Sequence, residues 1–354
     1  MTSAVDWDLA EQVAARIAKG DPFSRSYHRE GMESDFEEFT SRAQGYVEAE
    51  IGFSSLSGNA RARVVDRRDW VRANLASYNR LLRPLLDRFE GKEGPTAELS
   101  SKIAAVELGS LLGWMSSRVL GQYDLLVLEE EDPDEQDIVY YVGPNILSLE
   151  KRHSFPPDEF RLWVALHEVT HRTQFTGVPW LRQYFLDQVG ELITAAEPDP
   201  KKLFIAAGRL AEGITKRTNP FAEGGVAALF ATPEQRLAMD RVAGLMSLLE
   251  GHGDVIMDRA ALDQVPSAPR FGRVLRARRK EMNLATKLLQ RLIGLEAKLA
   301  QYEQGELFIE AVEKVGGPQL LNRAFESAEN LPTIHEIRNP DLWLTRIDSK
   351  AISI

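Results

Sequence analysis

Residues 167–171 read His-Glu-Val-Thr-His: two imidazoles four positions apart, with a carboxylate directly after the first. On an α-helix His167 and His171 rise from one face, a turn apart, and can hold one metal ion between them. Glu168 is rotated to the flank, where its carboxylate reaches a water on the metal instead of the metal itself. Neutral imidazoles and a carboxylate suit Zn²⁺, at ligand distances of about 2.0–2.2 Å. Zinc brings the pKa of a bound water toward about 7, and a carboxylate placed like Glu168 then removes the proton. The chemistry implied is metal-assisted hydrolysis with one zinc ion as cofactor.

Two histidines are one ligand short, because a catalytic zinc takes three protein ligands and keeps a position open. The extended pattern HExxHxxGxxH is excluded, since Gln174 and Gly177 stand where it needs glycine and histidine. His28, His153 and His335 are scattered, so the best candidate lies in MSLLEGHGDVIMD, 79 positions after His171. There Glu250 and Asp254 are four apart and share a helix face, so Glu250 can bind the metal while Asp254 accepts the free ring N–H of a ligating histidine. His252 points from another face and is the alternative ligand, or a donor to a developing oxyanion. Gly251 and Gly253 each cost a helix about 1 kcal/mol relative to alanine, which makes sense if the motif helix or a substrate must come close. Arg172 is a candidate for a substrate carboxylate or for a structural ion pair. Tyr184 and Tyr302 are candidate electrophiles opposite the zinc, against the plainer reading of ordinary buried tyrosines.

These side chains need rigid elements under them. The motif falls in a helix over about 156–176, with Ser154 as its cap, Pro157 in the first turn, Asp158 and Glu159 at the positive end, and Gly177 and Pro179 as its stop. A second helix over about 233–258 carries Glu250; Thr232 with Gln235 reads as a capping box and Pro233 as the first helical residue. Residues 1–123 read as an N-terminal helical region. In it RRDWVRANLASYNRLLRPLLDRF is interrupted at Pro84, and TAELSSKIAAVELGSLLGWMSSRVLG stops at Gly121. Gly109 and Gly113, four apart, leave room for a neighbouring helix. Residues 124–149 carry a small β element, DLLVL and DIVYYVGPNILSL joined by the acidic turn EEEDPDEQ. The expected fold is mainly α with a small β element, the HExxH helix packed against a second ligand-bearing helix. Its organisation is an N-terminal helical region, 1–123, followed by a catalytic region, 124–354, or one continuous unit.

With 43 Lys plus Arg against 53 Asp plus Glu, the chain carries a formal charge of −10, which repels phosphate backbones and argues against nucleic acid as a partner. The absence of cysteine excludes disulfides, thiolate metal sites and a cysteine nucleophile. The first twenty residues carry Asp6, Asp8 and Glu11 where a signal peptide would be basic and then apolar, and no apolar run reaches a bilayer span. The expectation is a cytoplasmic protein without a membrane partner. The basic run RFGRVLRARRK, 270–280, reads as a solvated helix face.

Three segments together, HEVTHRTQFTGVPWL, MSLLEGHGDVIMD and NLPTIHEIRNPDLWL, resemble the zincin-like metallopeptidases of actinobacteria and related bacteria. Members of that family carry hydrolase labels or an association with deazaflavin-coenzyme biosynthesis. The resemblance runs from about residue 20 to residue 347. It implies a zinc-dependent hydrolase of mainly helical fold, acting on a peptide or other small amide. HExxH with a downstream ExxxD is further similar to the gluzincins. That likeness implies His167, His171 and Glu250 as zinc ligands, Glu168 as general base and Asp254 as the group behind a ligand. In zincins generally an exposed strand beside the motif helix pairs with extended substrate, a role that residues 137–142 would take. The competing reading is a non-catalytic helical interaction protein with a structural or degenerate zinc site, which would have no need of Glu168.

Overall fold

A computed structural model describes residues 5–18, 23, 26–89, 95–125, 136–194, 233–280 and 296–352. The chain divides into two compact units, one of residues 1–177 with 257–271, the other of residues 178–256 with 272–354. Each unit is built around its own helices.

In the first unit, α1 (Trp7–Ile17) starts where the Asp6 side chain accepts from the Leu9 N–H, 3.0 Å, and buries Ala10 and Ala14. Those alanines meet Gly109 and Gly113 of α4 (Pro95–Met115): a Cβ on Gly109 would lie 2.4 Å from the Ala10 carbonyl oxygen, one on Gly113 2.8 Å from that of Ala14. The four-residue glycine spacing thus admits α1, as expected. Between them in sequence run α2 (Met32–Ile51) and α3 (Arg67–Phe89), and α3 continues past Pro84.

A three-stranded sheet sits among these helices. β1 (Arg61–Val65), β2 (Gly121–Tyr123) and β3 (Ile138–Val142) are ordered β1-β3-β2, with β1 parallel and β2 antiparallel to β3. β3 is buried at every residue because both its faces are covered. Ile138, Tyr140 and Val142 join the core of Trp70, Leu75 and Leu112, while on the opposite face Tyr141 stacks on Phe36, centroids 4.0 Å apart, and bonds Thr40 at 2.7 Å.

Three expectations are corrected here. β1 and β2 fall within the stretch read as helical, and Gly121 belongs to β2 instead of ending α4. The run 143–149 is no strand: Pro144 sits in the first turn of α5 (Gly143–His153). Residues 137–142 form no exposed edge, since β3 is the inner strand. Of the proposed strand 124–128, residues 126–128 lie outside the described residues, as does most of the acidic turn.

The motif helix is α6 (Pro157–Gly177). Ser154 does not cap it; Ser154 is the left-handed C-cap of α5, and the Pro156 carbonyl accepts from the Phe160 N–H at 3.0 Å. α6 is buried around most of its circumference, and Thr170, Thr173 and Thr176 satisfy their hydroxyls on carbonyls one turn back, at 2.7–2.9 Å. Arg161 forks onto Glu150 of α5 at 2.9 and 3.0 Å and also pairs with Asp35 of α2. Residues 257–271 are pinned to the start of this helix. Glu159 accepts from the Ser267 N–H at 2.7 Å, and Phe271 packs edge-on against Phe155, Phe160 and Trp163.

The second unit contains α7 (Leu181–Thr194), most of α8 (Pro233–Ala261), α10 (Glu296–Asn322), α11 (Ile334–Arg338) and α12 (Pro340–Ile352); α9 (Ala268–Lys280) begins in the first unit and ends here. α8 begins at Pro233 as expected, and Thr232 lies outside the described residues. α10 is broken at Gly317, φ 70 and ψ −175, beside Pro318. α8 and α10 cross in backbone contact: a Cβ on Gly251 would be 2.4 Å from the Gly305 carbonyl carbon, and one on Gly305 2.1 Å from the Ser247 oxygen. The C-terminal block is a clasp. Thr333 and Glu336 form a complete capping box, Arg346 forks onto Glu336 at 2.6 and 3.0 Å, and the Trp343 indole donates to the Asn330 carbonyl at 2.7 Å. No helix among the described residues is long and apolar enough to cross a membrane.

Candidate metal centre

On α6 the rings of His167 and His171 meet edge to face, and their Nε2 atoms are 3.3 Å apart. Two nitrogens bound at about 2.0–2.1 Å to one tetrahedral zinc would be separated by about 3.3–3.4 Å, so this spacing fits a shared cation. The orientation of His171 has a visible cause. Gln174, fully buried one turn on, has its side-chain oxygen 3.0 Å from His171 Nδ1. With that oxygen accepting, Nδ1 carries the hydrogen and Nε2 keeps its lone pair for a metal. In the sequence Gln174 stands out as the residue that excludes the longer motif, and its i+3 spacing from His171 is the local helical signal for this contact.

Among the described residues, the cluster able to hold a metal ion is His167, His171 and Glu250: one ligand atom of each, all within 4.8 Å of one another. Two imidazole nitrogens and a carboxylate oxygen are a donor set that zinc accepts, so the residues present fit the ion. Glu168 is only 7% exposed. Its carboxylate lies against β2, where a Cβ on Gly121 would come within 2.7 Å of Oε1. Tyr141, opposite Gly121 in the sheet, has its hydroxyl pushed up by burial, eased by the Thr40 hydrogen bond and raised further by the Glu168 charge.

The remaining expected residues are placed as follows. Arg172 is fully buried and forks onto Asp137 at 3.0 and 2.7 Å, and it also donates to the Gly58 carbonyl at 3.2 Å. It therefore takes the ion-pair role, tying the start of β3 to the motif helix. Asp137 holds a positive φ of 54 at that point. His252 is buried with its ring 5.0 Å from that of Phe325. Tyr184 is partly buried beside Trp180, which raises its pKa by desolvation, and the side chain of Tyr302 lies outside the described residues. His153 stacks on Phe155, and His335 is exposed.

Asp254 has a partner that the sequence did not reveal. Burial, and then the charge and hydrogen bond of Asp254, push the Glu306 carboxyl up to about 7. The Gly251–Gly305 crossing creates this pair by bringing the two helices together at the adjoining positions. Glu306 is more protonated in the folded than in the unfolded chain. Its contribution to stability is thus complete below about pH 4.5 and is lost as pH rises through about 7. Glu306→Gln keeps a donor for Asp254 without ionising. It is expected to flatten that part of the pH dependence and to raise the unfolding midpoint above about pH 7, read by thermal melts of both proteins across the range.

A comparison with curated proteins gives no match. A crystal structure from Chloroflexus aurantiacus, described as "a putative hydrolase with a novel fold", superposes with a TM-score of 0.72 at 31% identity, covering 97% of this chain and 99% of that one. The family model of zincin-like metallopeptidases matches residues 5–344. A motif helix, a histidine pair spaced for one cation and a match of that extent agree, and the chain belongs to the zincin-like metallopeptidase family.

Proposed function

We propose that this protein is a zinc-dependent hydrolase that cleaves peptide bonds, with His167, His171 and Glu250 as ligands and Glu168 as general base. The observation that carries the reading is the convergence of those three ligand atoms within 4.8 Å, with the buried Glu168 directly following the first ligand. Zinc held there would supply a Lewis acid for water and for the carbonyl of the scissile bond. Glu168 takes a proton from the attacking water as the new C–O bond forms, and returns it to the leaving nitrogen as the C–N bond breaks. Gln174 keeps the His171 ring in the ligating tautomer.

An extended substrate would lie along β2, not β3. Leu120 and Asp124 bond to Val142 and Ile138 of β3, so the alternate residues Gly121 and Tyr123 turn their N–H and C=O groups away from it. Among the described residues β2 pairs with β3 alone.

The test is metal content paired with cleavage of a mixed peptide library. One zinc per chain is expected, lost in His171→Ala and Glu250→Ala, and cleavage should stop on chelation and return with added zinc. A protein that binds zinc tightly yet cleaves nothing would favour the interaction-protein reading, and zinc retained by both variants would reject the ligand set.

A further inference from the structure

We propose that Gly121 is the positioning residue for the Glu168 carboxylate, the absent side chain of this β2 glycine being the slot that the carboxylate fills. The inference rests on Glu168 as the base of the proposed hydrolysis. A Cβ built on Gly121 would stand 2.5 Å from Glu168 Cγ, 2.7 Å from Cδ and 2.7 Å from Oε1, closer than a Cβ approaches unbonded atoms. The backbone gives no separate reason for glycine, because the positive-φ glycines are Gly52, Gly58 and Gly317. Gly121 lies in a regular strand, paired with Tyr141.

The wall behind the slot is stiff. Tyr141 is fully buried, stacked on Phe36 and bonded to Thr40, and β3 is held on both edges. An added methyl would meet the Glu168 side chain itself, whose Cγ, Cδ and Oε1 are the three nearest atoms, while β3 holds the strand in place. The base, not the strand, would give way. Because Glu168 is itself buried, its carboxylate has little room to rotate into and still face the metal.

A purely structural glycine makes a different forecast, namely a less stable protein with the base untouched. Gly121→Ala therefore separates the two. Expected are a thermal midpoint and zinc content close to the parent's, kcat lowered by about 100-fold through misplacement of the base, and KM within about twofold. In a Glu168→Gln background the same substitution should lower the residual rate by less than about twofold, since the group through which it acts is already gone. Cobalt(II)-loaded protein gives a readout that needs no substrate. Its visible spectrum should differ between the parent and Gly121→Ala, and should be the same in Glu168→Gln with and without Gly121→Ala. Full activity in Gly121→Ala, an equal loss in both backgrounds, or a cobalt spectrum unmoved by the substitution would overturn the assignment. If the parent cleaves no peptide, the hydrolase reading falls, and the cobalt spectra alone decide the role of Gly121.

Discussion

Glu168→Gln is expected to bind zinc as the parent does and to hydrolyse peptide substrate slower by a factor on the order of 10²–10⁴. Glutamine fills the same volume, so the buried position beside His167 and the contact with Gly121 survive the exchange. The ligands named for zinc exclude Glu168, which is why metal content should hold. What disappears is the only change made, a carboxylate that can take a proton from water. The loss should fall on kcat, with KM little changed, because the base acts only as the bond breaks. Steady-state kinetics on zinc-matched samples provide the check. Equal turnover in the two proteins would remove Glu168 from the mechanism and leave the zinc reading to stand without it.

Arg161→Ala is expected to destabilise the protein by about 3–5 kcal/mol, the cost of stranding a buried charge. Arg161 and Glu150 have side chains only 7% and 5% exposed, and the fork between them is the shared contact of α5 and α6, with Asp35 of α2 on the third side. Without the guanidinium, Glu150 must ionise with no partner or bind a proton. Urea unfolding measures the loss, and adding Glu150→Leu should recover part of it by removing the orphaned charge. A loss below about 1 kcal/mol would mean that water reaches Glu150 and that the pair behaves like a surface one.

Local signals are legible in the sequence and distant ones are not. The motif helix announced itself through spacing, acidic first turn and terminal glycine, all within one stretch of chain. Its upstream neighbour misled: Ser154 looks like a cap for α6, but its left-handed backbone closes α5 instead. β1, RARVV, carries two arginines and is only partly buried, so no apolar alternation marks it, and its identity comes from pairing with β3 far along the chain. The Gly-Pro after Val142 is hidden inside an apolar run, and proline in that place starts a helix as readily as it ends a strand. Gly251 signals a close neighbour in the sequence, where the motif helix or a substrate is the expected one; the structure places α10 there. That the neighbour is the backbone of Gly305, and that the crossing delivers Glu306 to Asp254, depends on a contact between helices that no local window holds. Gly121 is the same kind of case: it looks like a helix terminator, and its reason stands on another element.

The anchoring of residues 257–271 also bears on how the first unit is put together. That segment begins 80 residues after Gly177, yet Glu159 and the Phe155–Phe160–Trp163 cluster hold it against the start of α6, so the first unit is assembled from two stretches of chain. A chain cut before residue 257 would strip that cluster of Phe271 and leave Glu159 without the Ser267 N–H.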